Sequence, residues 1–471
     1  MRQPPWVWIS GWSLAKDQEV DEIQEVLVNA AEAGFGSAVC ALGLDRLTRQ
    51  SPEYFRRLRT LRELCRQLQL EFIPSVFSLS RADWILDLNP HLAEGLPVRG
   101  APFRADRERA RLQASTVRIE PGWLRLQPRR CYRLEGRARG RKIEPGSSLR
   151  LVLNHGLRKL PQRKFPPPGA DWQTYSMVFN SLEYSRLFLQ ADLWNSPRGE
   201  LELADWTLTE VGPINLLRRA GTPVWVRGRQ TYQEGVDYRF VPDRPLNLRN
   251  DRSEPLQLEL LPGGRIRDQE ELLVDWYHPV LVNEDQMCMC LAQLELYPMM
   301  QRELEILARE LQPERVLLSH DEIRLGGSCE SCRNLDLGHL LASCINRQAE
   351  MVRKFLPQAE IIIWSDMLDP AHNGHDHYYL CEGSFAGTAE HLNRELRVAV
   401  WGREARPESL AQFERLGFST LVACYYDAQD LSDVESWVSA AGPEQRFMYT
   451  TWSQNYQHLK AFSSLLQADR E

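Results

Sequence analysis

His320, Asp321 and Glu322 follow the apolar run Val316-Leu317-Leu318 after a single serine, Ser319, so an imidazole and two carboxyls stand where a buried strand gives way to polar chain. Side chains of these types can divide acid catalysis between them, one carboxyl protonating a leaving oxygen while the other stays charged and steadies a positive centre. Comparable residues recur downstream as Trp364 with Asp366, then Trp401, then Tyr425 with Asp427, then Trp452. Flat indole rings pack well against the apolar faces of sugars. Carboxyls ringed by tryptophans are therefore the set that a sugar-cleaving site requires.

Two other clusters have metal-ligand chemistry. Cys329-Glu-Ser-Cys332 has a spacing used for zinc or for disulfide exchange, but no second cysteine pair stands at zinc spacing, so a local structural role is the expectation. His372, His375 and His377 follow Trp364 within one loop and could join Asp366 as ligands, or form a polar rim.

Positioning these residues is a matter of the elements that end just before them. The first 80 residues alternate a strand near 6–12, a helix over 20–33, a strand over 37–42, a helix over 52–68 and a strand over 70–77. From about residue 82 short alternating segments replace the helices, at 116–126, 131–139, 149–154, 173–180, 186–193 and 200–211, as expected of a β-sandwich. A second β-rich stretch over 221–262 reads as its appendix. Trp123, Trp172, Trp194 or Trp206 could present a sugar platform there, although core positions are the more ordinary fate of tryptophan.

The α/β alternation resumes with a helix over 298–311 and strands at 315–318, 361–364, 398–401, 420–424 and 447–452. Three strands before the insert and five after it give a (β/α)8 barrel interrupted after its third strand. The expected organisation is residues 1–81 as the first part of the barrel, 82–270 as the inserted β-sandwich with its appendix, and 271–471 as the second part. Active sites of such barrels lie at the C-terminal ends of the strands, where the polar and aromatic residues above all fall.

With 471 residues and a formal net charge of −7, the chain lacks the basic footprint of a nucleic-acid or anionic-membrane partner. No run of about 18 apolar residues reads as a membrane span. The N-terminus lacks the basic and apolar regions of a signal peptide, so a cytoplasmic location is expected, or a secreted one if a leader has been trimmed. The ten scattered cysteines suit a reducing compartment. Whether the chain forms a homo-oligomer is not legible.

The Asp321-Glu322 pair after strand four, Trp364 after strand five, Trp401 after strand six, Tyr425-x-Asp427 after strand seven and Trp452 after strand eight together resemble the β-N-acetylhexosaminidases of glycoside hydrolase family 20. The resemblance covers the barrel, roughly 5–80 and 285–460, and implies a retaining, exo-acting enzyme whose substrate's own 2-acetamido oxygen attacks the anomeric carbon. It implies Glu322 as general acid and Asp321 as the group that orients the acetamido N–H. Tyr425 would bond the acetamido oxygen and Asp427 the ring hydroxyls. Trp364, Trp401 and Trp452 would wall the sugar, with Asp366 and His320 as further contacts; no cofactor is implied. The first strand ends in Ser10-Gly11-Trp12, without the arginine that the family uses for distal hydroxyls, and Arg46 or Arg324 are the candidates to replace it. Two alternatives stay open: a non-catalytic carbohydrate-binding protein on a degenerate barrel, and a metal-dependent hydrolase using His320, Asp321 and the 372–377 loop.

Overall fold

The computed structural model describes residues 3–156, 158–402 and 406–468. Eight parallel strands close into a barrel: β1 (Trp6–Ile9), β2 (Ser37–Cys40), β3 (Glu71–Val76), β4 (Arg315–Leu318), β5 (Glu360–Trp364), β6 (Arg397–Val400), β7 (Ser419–Cys424) and β8 (Phe447–Tyr449). Closure is direct, with Trp6 opposite Met448, and β3 pairs with β4 across the insert, with Ser75 opposite Leu317. The expected (β/α)8 barrel, interrupted after strand three by β-structure, is the fold observed.

Helices form where apolar residues repeat at helical spacing. Helix α1 (Asp17–Glu32) buries Val20, Ile23, Leu27 and Ala30 against the barrel. Helix α2 (Pro52–Gln67) starts at Ser51, whose hydroxyl accepts the Tyr54 N–H, with Pro52 in the first turn where its missing donor costs nothing. Helix α3 (Leu296–Leu311) leads into β4, and helix α4 (Leu337–Phe355) is capped by Asp336, which accepts the His339 N–H at 2.7 Å. The β5–β6 connection holds two short 3-10 turns, Asp366–Leu368 and Thr388–His391, and among the described residues no α-helix. The circuit is completed by α5 (Arg406–Arg415), α6 (Ser432–Ala440) and α7 (Leu459–Ala468).

Strand alternation sorts the barrel's side chains into two cores. Trp6, Trp8, Val39, Ile73, Leu317, Ile362, Trp364, Ala399, Leu421, Ala423 and Met448 fill the lumen, while their strand neighbours pack outward on the helices. The N-terminal mouth is sealed by charge: Arg315 binds Glu71 and, at 2.7 Å, Glu360, which also holds Arg397 at 2.6 Å. Arg315 and Arg446 lie over the Trp6 ring. Polar chemistry is thereby left to the opposite end.

The insert makes three sheets. Two four-stranded antiparallel sheets face each other as a sandwich, and a seven-stranded sheet centred on Leu96–Asp106 and Glu271–His278 has a core of its own. The run read as one strand over 116–126 divides into Thr116–Arg118 and Gly122–Arg125, one in each sandwich sheet, because Pro121-Gly122 turns the chain between them. Trp206 is a core residue, not a platform: its indole lies where a Cβ on Gly136 would stand, 2.2 Å from Cδ2, so only glycine fits beneath it. Trp123 and Trp194 are exposed, the first edge-on to Phe188 and the second under Arg150. Trp172 lies under Arg137 and Arg139.

The sandwich also bears on the barrel's C-terminal loops. Its core is continuous with Leu325 from the loop after β4 and Leu380 from the loop after β5. Arg158 donates to the Tyr379 carbonyl at 2.8 Å, and Arg129 pairs with Glu382. The insert braces the two loops that carry the carboxylates.

Candidate active site

β4 ends at Leu318, and the next residues leave strand geometry one by one. Ser319 bonds Ser75 of the neighbouring strand β3 at 3.1 Å, while His320 turns outward, Nε2 meeting Gln348 Oε1 of α4 at 3.2 Å. Glu322 then takes a left-handed backbone, φ +50°, which breaks the strict alternation that would send neighbouring side chains to opposite faces. Phe77 after β3 (φ +61°) and Tyr425 and Asp427 after β7 (φ +82° and +58°) are also left-handed. Each such non-glycine residue costs about 1–2 kcal/mol, which the packing around it has to outweigh.

Asp366 is the hub of the carboxylates. It is fully buried, and Oδ2 accepts the Glu322 N–H at 2.7 Å and Asn373 Nδ2 at 2.8 Å, while Oδ1 accepts the Trp401 indole N–H at 3.3 Å. Burial pushes its carboxyl up to about 6 against these donors. Asp321 is pushed further, to about 7, by burial first and then by the negative charges of Asp366 and Glu322, with Arg81 pulling weakly the other way. The Glu322 carboxylate is engaged differently: Arg324 Nη2 holds Oε1 at 2.5 Å. Arg324 is itself fixed by Gln286 Oε1 at 2.6 Å, and Gln286 Nε2 donates to the Glu322 carbonyl at 2.8 Å. One strand end thus carries a carboxyl whose affinity for a proton is raised by burial and neighbouring charge beside one held in an ion pair.

Four indoles stand beside them. Trp364 is the buried floor; Trp8, Trp401 and Trp452 lie 5.4, 6.5 and 6.3 Å from it, all tilted or edge-on. Trp452 is 50% exposed, so one face is open to a ligand. The Trp401–Asp366 bond joins this wall to the carboxylates.

Three expected site residues are placed elsewhere. His320 is buried between β4 and α4, where desolvation pulls its imidazole down to about 4, so it neither contacts the mouth nor joins a metal set with Asp321. Tyr425 is fully buried on the helix side, stacked on Tyr449 at 4.4 Å with its hydroxyl accepting from Asn455 Nδ2 at 2.7 Å. The neighbouring Tyr426 lies against Trp401 and donates to the Ala423 carbonyl at 2.5 Å. Asp427 is spent on the loop after β8: it accepts the Thr451 hydroxyl and the N–H groups of Trp452, at 2.6 Å, and Ser453, at 3.1 Å. It positions the Trp452 backbone rather than offering itself to sugar hydroxyls.

Among the described residues His372, His375 and His377 do not converge with acidic groups into a ligand set, whereas Cys329 and Cys332 meet Cys290 and Glu94. His372 packs edge-on to Trp401 at 4.5 Å, and His375 and His377 are exposed rim residues. Arg324 is committed to Glu322, and Arg46 lies 3.7 Å from Asp45, so neither stands free as a distal grip.

Two residues were not anticipated. Trp8 packs into the floor, its buried Nε1–H lacking an acceptor among the described residues. The Trp6-Val-Trp8 alternation already put both indoles on one strand face, which is the signal that could have found it. Arg81, four residues beyond Phe77, brings a cation near Asp321; nothing in its local sequence marks it.

The molecule is a (β/α)8 barrel with a carboxylate and tryptophan cluster at the C-terminal ends of β4, β5, β6 and β8. No family model matches the chain, and no curated protein matches it. Among solved structures it is similar to the β-N-acetylhexosaminidase from Bacteroides fragilis NCTC 9343, with 9% identity and a TM-score of 0.42 over 99% of this chain and 65% of that one. It is also similar to a rhamnosidase from Novosphingobium sp. PP1Y, with 10% identity and a TM-score of 0.36 over 99% and 59% of the two chains. The tandem GH20 catalytic modules of a pneumococcal exo-β-D-N-acetylglucosaminidase match 39% of this chain and 50% of that one, at 10% identity and a TM-score of 0.25. The chain spans less than two thirds of the length of each of these. At such identities no residue role passes from them to this chain.

Proposed function

We propose that the chain is a glycoside hydrolase. The observation that carries this reading is geometric: Asp321 and the Arg324-bound Glu322 stand together at the end of β4, fastened to Asp366, which also holds Trp401 in the wall it forms with Trp364 and Trp452. Cleavage of a glycoside needs a proton for the leaving oxygen and a fixed negative charge near the oxocarbenium-like centre. Asp321 is the proton donor in this reading and Glu322 the charged partner, the reverse of the assignment that the resemblance implied. Asp366 holds the backbone between them, and the indoles pack the sugar ring.

The finer reading is a retaining, exo-acting enzyme for a 2-acetamido sugar, with the substrate's acetamido group as nucleophile. The adjacency of Asp321 and Glu322 supports it; Tyr425 has no part in it. A panel of chromogenic glycosides, led by N-acetyl-β-D-glucosaminide and N-acetyl-β-D-galactosaminide, tests both levels, with Glu322→Gln alongside. Turnover of a 2-acetamido substrate that collapses in the variant supports the finer reading, turnover confined to other glycosides leaves only the coarser one, and no turnover on any glycoside contradicts both.

A second reading, a non-catalytic carbohydrate-binding barrel, is favoured by one observation: the 2.5 Å ion pair that occupies Glu322. Calorimetric binding of an N-acetylglucosamine oligosaccharide without its hydrolysis distinguishes it.

A further inference from the structure

Cys329 and Cys332 lie on the loop after β4, a short way beyond Glu322, and the fold brings two distant residues to them. Cys290 Sγ stands 3.5 Å from Cys329 Sγ, Cys329 Sγ stands 3.4 Å from Cys332 Sγ, and Cys332 Sγ stands 3.3 Å from Glu94 Oε1 and 3.4 Å from Oε2. The four donor atoms all fall within 4.8 Å of one another, and all four residues are buried.

We propose that Glu94, Cys290, Cys329 and Cys332 bind one zinc ion in a tetrahedral, structural site. Thiolates about 2.3 Å from a tetrahedral zinc stand about 3.8 Å apart, close to the sulfur spacings here, whereas a disulfide needs about 2.05 Å. The two ligands on the β4 loop sit in a compact turn, with the Cys332 and Arg333 N–H groups both donating to the Cys329 carbonyl, at 3.1 and 2.9 Å. Glu94 is oriented from the same turn: Oε1 accepts the N–H groups of Ser328 at 3.1 Å and Cys329 at 2.8 Å.

Charge argues in the same direction. Neutral thiols bury readily, but a buried carboxylate beside three thiolates is costly unless a cation compensates them. Arg219, with Nη1 3.5 Å from Cys329 Sγ, supplies one positive charge while its other nitrogens bond the His91 and Ala93 carbonyls. A divalent ion balances most of what remains. Soft thiolates select zinc over magnesium or calcium, and four protein ligands leave no open position, so the site is structural and not a second catalytic centre.

The position of the cluster says what such an ion would do. Glu94 lies where the chain leaves the barrel for the insert, Cys290 where it returns ahead of α3, and Cys329 and Cys332 on the loop that carries Asp321 and Glu322. One ion would pin both crossings to that loop. The sequence alone could not show this, because the ligands come from three segments and only one pair has a recognisable spacing.

The test is the metal content of the full chain, produced with zinc in the medium, exchanged through a weak chelator and counted by mass spectrometry. About one zinc per chain is expected, falling several-fold in Cys329→Ser/Cys332→Ser, with Glu94→Gln retaining the ion less firmly. Because the serine variant could fail to fold, the wild-type chain is also titrated with a mercurial. Release of the ion in step with modification of three thiols supports the site. Cobalt substitution should give the intense visible bands of a tetrahedral thiolate centre. Wild-type protein that carries no stoichiometric metal overturns the proposal, whether all ten cysteines titrate as free thiols or two are missing as a disulfide. No arm reads glycoside turnover, so the result stands apart from the functional reading.

Discussion

The backbone N–H of Glu322 donates to Asp366 Oδ2 at 2.7 Å, which fastens the end of β4 to the end of β5. The same carboxylate holds Asn373 and Trp401, so three elements of the candidate site take their position from one buried side chain. Asp366→Ala leaves those donors unmet in a dry interior. A destabilisation of about 2–3 kcal/mol is expected, together with a fall in kcat/KM of about a hundredfold, read by urea unfolding and turnover. Asp366→Asn keeps an acceptor but turns a donor toward Asn373 Nδ2 or Trp401 Nε1, and should fall between.

Asp321 predicts a pH dependence of stability with a definite sign. Its carboxyl is raised from an ordinary value near 3.8 to about 7, so the folded chain binds the proton more tightly than the unfolded one. The stability this contributes is fully present below the unfolded value and is lost as pH rises through about 7. Asp321→Asn, neutral throughout, should therefore stabilise the protein relative to wild type by an amount of order 2 kcal/mol at pH near 8, with the gain vanishing toward pH near 4. Thermal unfolding across that range checks it; a gain that is flat with pH contradicts the assignment.

Asp427 should act on binding, not on chemistry. Removing its carboxylate frees the Thr451 hydroxyl and the N–H groups of Trp452 and Ser453, and the exposed Trp452 ring loses its place in the wall. Asp427→Ala is expected to raise KM about tenfold with kcat changed far less, as for a residue that aligns a ground-state contact. Trp452→Ala should do the same, and the double variant little more.

Tyr425 separates the expectation carried by the resemblance from the arrangement observed. Its hydroxyl meets Asn455 on the helix side, so Tyr425→Phe should cost about 1 kcal/mol of stability and leave kcat/KM within about twofold of wild type. A loss of several hundredfold would place that hydroxyl on the substrate instead.

Much of this was legible in the chain because it rests on periodicity. All eight barrel strands and the break after the third follow from apolar runs separated by helical repeats, and the polar strand ends followed from the fold. Facing was harder. His320 and Tyr425 look outward because each lies one residue out of phase with an inward neighbour, Ser319 and Tyr426, and a one-residue shift at a strand end is decided by packing against helices, not by local sequence. The role of Asp427 was invisible because its partners lie on the next strand's loop. The Glu94–Cys290–Cys329–Cys332 cluster depends on contacts across the insert that no spacing encodes.

The central claim, that Asp321 gives up its proton to a glycosidic oxygen, is tested most directly by the pH profile of kcat/KM on a chromogenic N-acetyl-β-D-glucosaminide for wild type and Asp321→Asn. Wild type should lose activity as pH rises through about 7, and the variant should be slower by about 10²–10⁴-fold with that alkaline limb gone. A variant as fast as wild type, with the limb unchanged, would contradict the claim.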